Sequence, residues 1–427
     1  MSVSDAYQHK ILPLRQQATI QNDWLKQRLE SVIPEIMERE GVDMWLVVAR
    51  EYNEDPVIMT MLPAPSMAAR RRTILMFTRM EDGSVERLTV SRYGMKGYYE
   101  LGWDAEKEGQ YEALARLIKE RDPKTIGLNF SEHFAFGDGL SHQEYTQLAD
   151  ALGEDIMSRT RSATRLCVGW LERRIEPEMT VYPSIVEIGH AIIAEAYSSK
   201  VVTPGITDVR DMQWWMRQKM HEMGLRAWFH PSYELQAPDA PFKKLVDRSK
   251  NVPDPRTLIQ PGDLLHCDMG FYYHGLATDQ QQHAYVLKPG ETDAPEGLKA
   301  ALKLGNRLQD ILMEEMTPGR TGNEALKSTL ERAIAEGITP SVYTHPLGYH
   351  GHAAGPTIGL WDMQGGVPGN GDYELFDNTA YSIELNIITE VPEWDNQEVR
   401  IMLEEDALLR DGKTEFLDGR QAEFFLI

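Results

Sequence analysis

Cysteine is almost absent from this chain. Two residues in 427, Cys167 and Cys267, lie 100 positions apart, which excludes a scaffold stapled by disulfides. Long apolar runs are missing as well. No stretch is long enough to span a bilayer, so no membrane partner is expected. The N-terminus, MSVSDAYQHKILPLRQQ, lacks the basic-then-apolar pattern of a secretory leader. Cytoplasm is the expected compartment, although a leader already removed would leave no trace. Positive charge is in short supply: 44 Lys and Arg stand against 66 Asp and Glu, a net charge of −22. That balance argues against nucleic acid as a partner, because neutralising phosphates takes clustered cations. The one short basic cluster, Arg70–Arg72, reads as a solvated turn before the strand-like TILMF. Neither a glycine-rich phosphate loop in the first half nor a short internal repeat is found.

What is present suits two domains, since 427 residues exceed one ordinary core. The first, residues 1–165, alternates helix and strand. Trp24, Leu25, Leu29, Val32, Ile33 and Ile36 recur at helical spacing, and VDMWLVV, RTILMFT, RLTVSRY and TIGLNF read as strands around the helix QYEALARLIKE. This is an α/β pattern. SRTRSATRLCVGWLERRIEP is the expected joint. The second domain, 166–427, opens on helices. One carries the stripe Val181, Ile185, Ile188 and Ile192; in another, Thr207 caps a run with Val209, Met212, Trp215, Met216 and Met220. Hairpin-like strands follow, with a further helix over roughly 295–335, so the expected class of the whole chain is α+β.

Chemistry concentrates in a few stretches. HPLGYHGHAAGPTIGLWD (345–362) places three of the 12 histidines in its first eight residues. Within DLLHCDMGFYYHGLATDQQQHAYVL, a turn around Tyr273–Gly275 brings Asp279 nearly opposite Asp268, and two carboxylates that close repel unless a cation joins them. In AYSIELNII, Glu384 shares a polar face with Ser382 and Asn386. In RIMLEEDALL, Glu405 shares a row with Leu403 and Ala407. Buried acids are expensive unless paired or metal-bound.

In order, Asp268 in CDMG, Asp279, the GHAAG around His352, Glu384 in SIEL and Glu405-Asp406 resemble the five-ligand pattern of the pita-bread metallopeptidases of family M24. VVTPGITDVRDM also looks like that family's helix-opening segment, and the N-terminal half resembles the creatinase/prolidase N-terminal domain. The resemblance implies a C-terminal pita-bread fold preceded by an α/β creatinase-type domain. It implies two divalent ions, Mn²⁺ first, with Zn²⁺, Co²⁺ or Fe²⁺ as alternatives. Asp268, Asp279, His352, Glu384 and Glu405 would hold them, with His350 the alternative imidazole ligand. Glu384 and His350 are the candidate catalytic residues. A dimanganese hydrolase of short peptides, Xaa-Pro aminopeptidase- or prolidase-like and homodimeric, is the implied function. A non-peptidase on the same scaffold, a creatinase-like amidinohydrolase or a lyase acting on a small molecule, is the alternative, and a binding module without catalysis is a third reading.

The chain departs from the family in its substrate-holding groups. Counted from His352, the family's second histidine falls on Gly359 or Met363. The histidine expected upstream of Asp268 falls in SKNVPDP (249–255). His345, His283, His230 and Trp361 are therefore the candidate substrate-binding residues.

Overall fold

The computed structural model describes residues 2–243 and 256–427; SKNVPDP lies outside them. The chain divides into two compact units, one of residues 13–177 and one of residues 1–12 with 178–427.

In the smaller unit, helix α1 (Leu14–Glu40) ends on Gly41 in the left-handed conformation, φ 62°, where glycine avoids a Cβ clash. All six apolar residues expected on its inner face are buried. Strands β1 (Met44–Arg50), β2 (Arg72–Arg79), β3 (Val85–Thr89), β4 (Glu100–Leu101), β5 (Ile126–Leu128) and β6 (Thr160–Ser162) form one sheet in the order β4-β3-β2-β1-β5-β6. Burial of the first six residues of β1 explains its unbroken apolar run. Arg72 is not part of a solvated turn: it opens β2, and its guanidinium donates to both oxygens of Glu144 at 2.6 and 3.1 Å.

The larger unit carries the chemistry. Helix α2 (Glu176–Ala196) buries Ile185, Ile188 and Ile192. Helix α3 (Val209–Glu222) is capped by Asp208, not Thr207; the Asp208 carboxylate accepts from Arg210 N, in a box closed by Asp211. Thr207 Oγ1 instead accepts from Thr203 N. The helix expected over 295–335 is two, α4 (Glu296–Glu315) and α5 (Gly322–Ala335), parted at Pro318-Gly319, which cannot continue a helix. They pack Leu298, Leu302, Leu312 and Leu326 into a core with Ile383, Leu385, Ile387, Ile401 and Leu403 from the strands. Those strands form small, mainly antiparallel sheets. β7 (Arg226–Ala227), β8 (Ser232–Gln236), β9 (Leu264–Met269), β10 (Phe271–Tyr273), β11 (Leu276–Ala277) and β12 (Gln280–Tyr285) come first. β13 (Thr339–Val342), β14 (His345–Leu347), β15 (Thr379–Ser382), β16 (Leu385–Val391), β17 (Gln397–Leu403) and β18 (Asp406–Arg410) follow. Cys167 and Cys267 are both buried and free. Among the described residues no helix is long and apolar enough to cross a membrane.

Candidate metal centre

Two hairpins bring the acids together. In the first, His274 and Gly275 turn the chain with φ of 54° and 82°, the paired positive values a two-residue hairpin turn needs. The register places Gln281, not Asp279, opposite Asp268. Asp279 lies one pleat nearer the turn on the same face, because alternate residues of a strand point the same way.

The second hairpin is long and bends in its middle. Ser382 pairs with Asp406, and Leu385 pairs with Leu403. Counted inward from either pair, Glu384 falls opposite Glu404, and Ile383 opposite Glu405. Cross-strand partners share a face, so Glu404 joins Glu384 while Glu405 points to the other side. This corrects the sequence-based choice of Glu405. Both glutamates sit where the strands pass from one sheet, containing β14, β15 and β18, into another, containing β13, β16 and β17.

Three overlapping groups result, each with its donor atoms within 4.8 Å of one another: Asp268, Asp279 and Glu404; His345, Glu384 and Glu404; Asp279, His345 and His352. His345 Nε2 stands 3.6 Å from Glu404 Oε1, 3.7 Å from Asp279 Oδ2 and 3.9 Å from Glu384 Oε2. On its other side, Nδ1 lies 3.0 Å from the Pro346 carbonyl. A carbonyl only accepts, so Nδ1 carries a hydrogen, and in the neutral ring that a cation would need, Nε2 turns its lone pair to the acids.

Do these residues suit a cation? Two unit charges 4.8 Å apart repel by roughly 3 kcal/mol at an effective dielectric of about 20. Burial pushes the carboxyls of Asp268, Asp279 and Glu384 well above the usual range, and the charge of Glu404 adds to this in all three. Asp268 Oδ1, Asp279 Oδ1 and His345 Nε2 are buried without a hydrogen-bond partner. Three orphaned lone pairs among crowded acids are costly unless a positive ion fills the space between them. The donor set, oxygen-rich with one imidazole, suits Mn²⁺, Fe²⁺, Co²⁺ or Zn²⁺.

The other residues singled out by sequence fall in several places. His352 stays at the edge of the centre, its ring 4.6 Å from that of His345; desolvation of the ring brings its pKa down to about 4. His350 enters none of the three groups, and its carbonyl accepts from Gly348 N. His283 is a core histidine rather than a substrate contact: Nδ1 lies 3.0 Å from the Leu265 carbonyl, and Nε2 accepts from Met402 N. His230 is exposed, its ring tilted against that of Trp214 with centroids 4.7 Å apart, and it enters none of the three groups. Trp361 is 59% exposed.

Glu405 has its own role. It accepts from Gln282 Nε2 and Gln421 N, and lies 2.7 Å from His190 Nε2, whose Nδ1 meets Asp418 at 2.8 Å. Burial lowers the pKa of His190, but the two carboxylates outweigh it and carry the value to about 10. The ordinary value is about 6.5. A raised folded-state pKa stabilises the protein fully below pH 6.5, and the gain fades as pH climbs to 10. Thermal melts should therefore fall more steeply between pH 7 and 10 for the wild type than for His190→Gln; parallel curves would sink this assignment.

Sequence reasoning missed Glu404, and missed His345 as a member of the acid cluster. It also missed Gln281, Tyr343 and Trp228. Tyr343 hydroxyl lies 3.4 Å from His352 Nε2, and Trp228 packs edge-on to His352 with centroids 5.2 Å apart. A Cβ at Gly351 would come within 2.3 Å of the Trp228 ring, and one at Gly270 within 2.1 Å of its Nε1, so both glycines are required for this wall. The signal available was the glycine flanking each motif.

The model of metallopeptidase family M24 matches residues 184–411, more than half the chain. Among solved structures, the X-Pro aminopeptidase of Thermotoga maritima MSB8 matches with a TM-score of 0.62 at 16% identity, covering 91% of this chain and 99% of its own. The dipeptidase PepE of Mycobacterium ulcerans matches with a TM-score of 0.62 at 15% identity, covering 95% and 98%. The Xaa-Pro dipeptidase of Bacillus anthracis matches with a TM-score of 0.60 at 16% identity, covering 94% and 100%. At such identities these three show a shared fold. Comparison with curated proteins gives no match.

Proposed function

The chain belongs to metallopeptidase family M24, and from that premise we propose that it is a two-cation hydrolase of short peptides, Xaa-Pro aminopeptidase- or prolidase-like. Asp268, Asp279, His345, Glu384 and Glu404 form the donor set. The observation that carries this reading is the convergence of Asp279, Glu384 and Glu404 on one imidazole nitrogen, with Asp268 grouped beside Asp279 and Glu404, and with Asp268 Oδ1, Asp279 Oδ1 and His345 Nε2 buried without a hydrogen-bond partner. Divalent cations held there would lower the pKa of water and polarise a peptide carbonyl.

The chain's own groups account for the rest. Glu384 is the most open of the acids around His345, its side chain 20% exposed against 4% for Asp279 and 2% for Glu404. Its carboxyl is raised well above the ordinary range by burial and by its acidic neighbours. A carboxyl tuned upward and facing the open side is suited to take a proton and return it to a leaving amine. His352, neutral at pH 7, offers one ring N–H to a substrate carbonyl. It takes the place of the second histidine: with His345 in the donor set, the histidine that follows is His352, and neither Gly359 nor Met363 needs a substitute. Trp228 and Tyr343 hold that ring and keep water from one side of it.

Mn²⁺-loaded protein should cleave Xaa-Pro dipeptides or longer Xaa-Pro peptides. Glu384→Gln should lower turnover by about 10²–10⁴-fold, read by amine release with metal content measured alongside. A metal-loaded wild type that cleaves nothing in a broad peptide library would refute the proposed activity.

A further inference from the structure

Gln281 is tied to the centre at every polar atom it has. Its backbone exchanges two hydrogen bonds with Glu404, N to O at 3.0 Å and O from N at 3.3 Å. Its side-chain Nε2 donates to Glu384 Oε1 at 2.8 Å and to Glu404 Oε2 at 2.6 Å. Its Oε1 lies 2.9 Å from His266 Nε2. The directions of these bonds follow from chemistry. An amide NH₂ only donates, and it is the end that lies against oxygens of both carboxyl groups. The carbonyl end is left facing His266 and only accepts, so His266 Nε2 carries the hydrogen. His266 Nδ1 is buried without a hydrogen-bond partner, as the bare nitrogen of that tautomer would be. Gln281 and His266 are 6% and 4% exposed, so water does not compete with them.

The amide therefore sits between two acidic side chains that strand register has set opposite each other. It spends one N–H on each, and a buried imidazole holds its other end. Glu384 and Glu404 differ in exposure, side chains 20% and 2% exposed, and among the described residues Gln281 is the one side chain seen to hydrogen-bond both.

We propose that Gln281 is a positioning residue whose amide sets the spacing of Glu384 and Glu404 before a cation arrives, with His266 locking the amide's orientation. This rests on the two-cation reading of the centre. Outer-shell groups that orient ligands typically account for 10- to 100-fold in metal affinity, and a centre held ready needs less rearrangement on binding.

The test is calorimetric titration of chelator-stripped full-length protein with Mn²⁺ alone. Wild type should bind, and Q281L, which keeps the volume but loses both donors, should bind about 10- to 100-fold more weakly. H266L should weaken binding in the same direction, while H266Q, which restores an N–H near the position of Nε2, should recover it. A merely structural histidine would not show that recovery. The double variant H266L/Q281L should be no weaker than Q281L. Circular dichroism checks folding, and if Q281L fails to fold, the H266L and H266Q pair carries the comparison. Q281L within threefold of wild type overturns the proposal, as does a double variant whose loss is the product of the single losses. A wild type that takes up no Mn²⁺ overturns the two-cation reading instead.

Discussion

Glu404→Gln should abolish both Mn²⁺ uptake at the shared position and peptide turnover, whereas Glu405→Gln should leave Mn²⁺ uptake intact and reduce stability. The two residues are adjacent and chemically identical, and the difference comes from which way each points. Glu404 faces Asp268 and Asp279 in one triad and His345 and Glu384 in another, so losing its charge removes a donor from both. Gln281 and Ser382 already bond its two oxygens, and a glutamine there would set an amide N–H against one of those donors. Glu405 instead holds His190 beside Asp418. Breaking a buried pair on one side costs about 3–5 kcal/mol, which lowers the melting temperature by on the order of 10 °C in a unit of this size. Metal content by elemental analysis, with a thermal melt on each variant, decides it. If Glu405→Gln loses the metal and Glu404→Gln keeps it, the hairpin register is wrong and the donor set with it.

The second large effect is a release of protons on metal loading. Burial and mutual repulsion hold Asp268, Asp279 and Glu384 above their ordinary pKa values, so without a cation the cluster keeps its protons to higher pH than free carboxyls do. A cation must displace them. Metal loading should therefore release protons, measurable by titrating Mn²⁺ into buffers of different ionisation enthalpy. The sign for affinity follows: more acid means more protons to displace, so binding weakens as pH falls, by up to about tenfold per pH unit for each proton. Affinity that does not change between pH 5.5 and 7.5, with no proton release, would show that the acids are already ionised and that the crowding argument fails. Chelator should remove activity in parallel, and added Mn²⁺ should restore it.

The sequence carried much of this. The apolar strands and the helical stripe of the smaller unit are legible from spacing alone, because burial dictates which positions must be apolar. Asp268 and Asp279 were legible as carboxylates brought close by a hairpin, and Glu384 as an acid amid apolar neighbours, where charge needs an explanation. His345 and His352 were both visible in their motif, but which one faces the acids was not. His345 is set by its pairing with Ser382, a contact between strands far apart in the chain. The helix expected over 295–335 divided at a Pro-Gly that the sequence did print, and the cap at Asp208 rather than Thr207 was a one-residue choice between two good cappers.

Glu404 against Glu405 marks the boundary. Periodicity put Glu405 in an apolar row with Leu403 and Ala407; both it and Glu404 are buried, and one of the two faces the other acids. Which one depends on the register between β16 and β17, closed by the connection from Pro392 to Asn396. A slip of one residue in that closure turns every side chain of the strand to the opposite face. Register is an agreement between two strands about their common loop and core, so no single strand's sequence contains it. The bond from Gln281 to both glutamates is of the same kind: a glutamine in QQQH looks like any polar strand residue until two hairpins fold against each other.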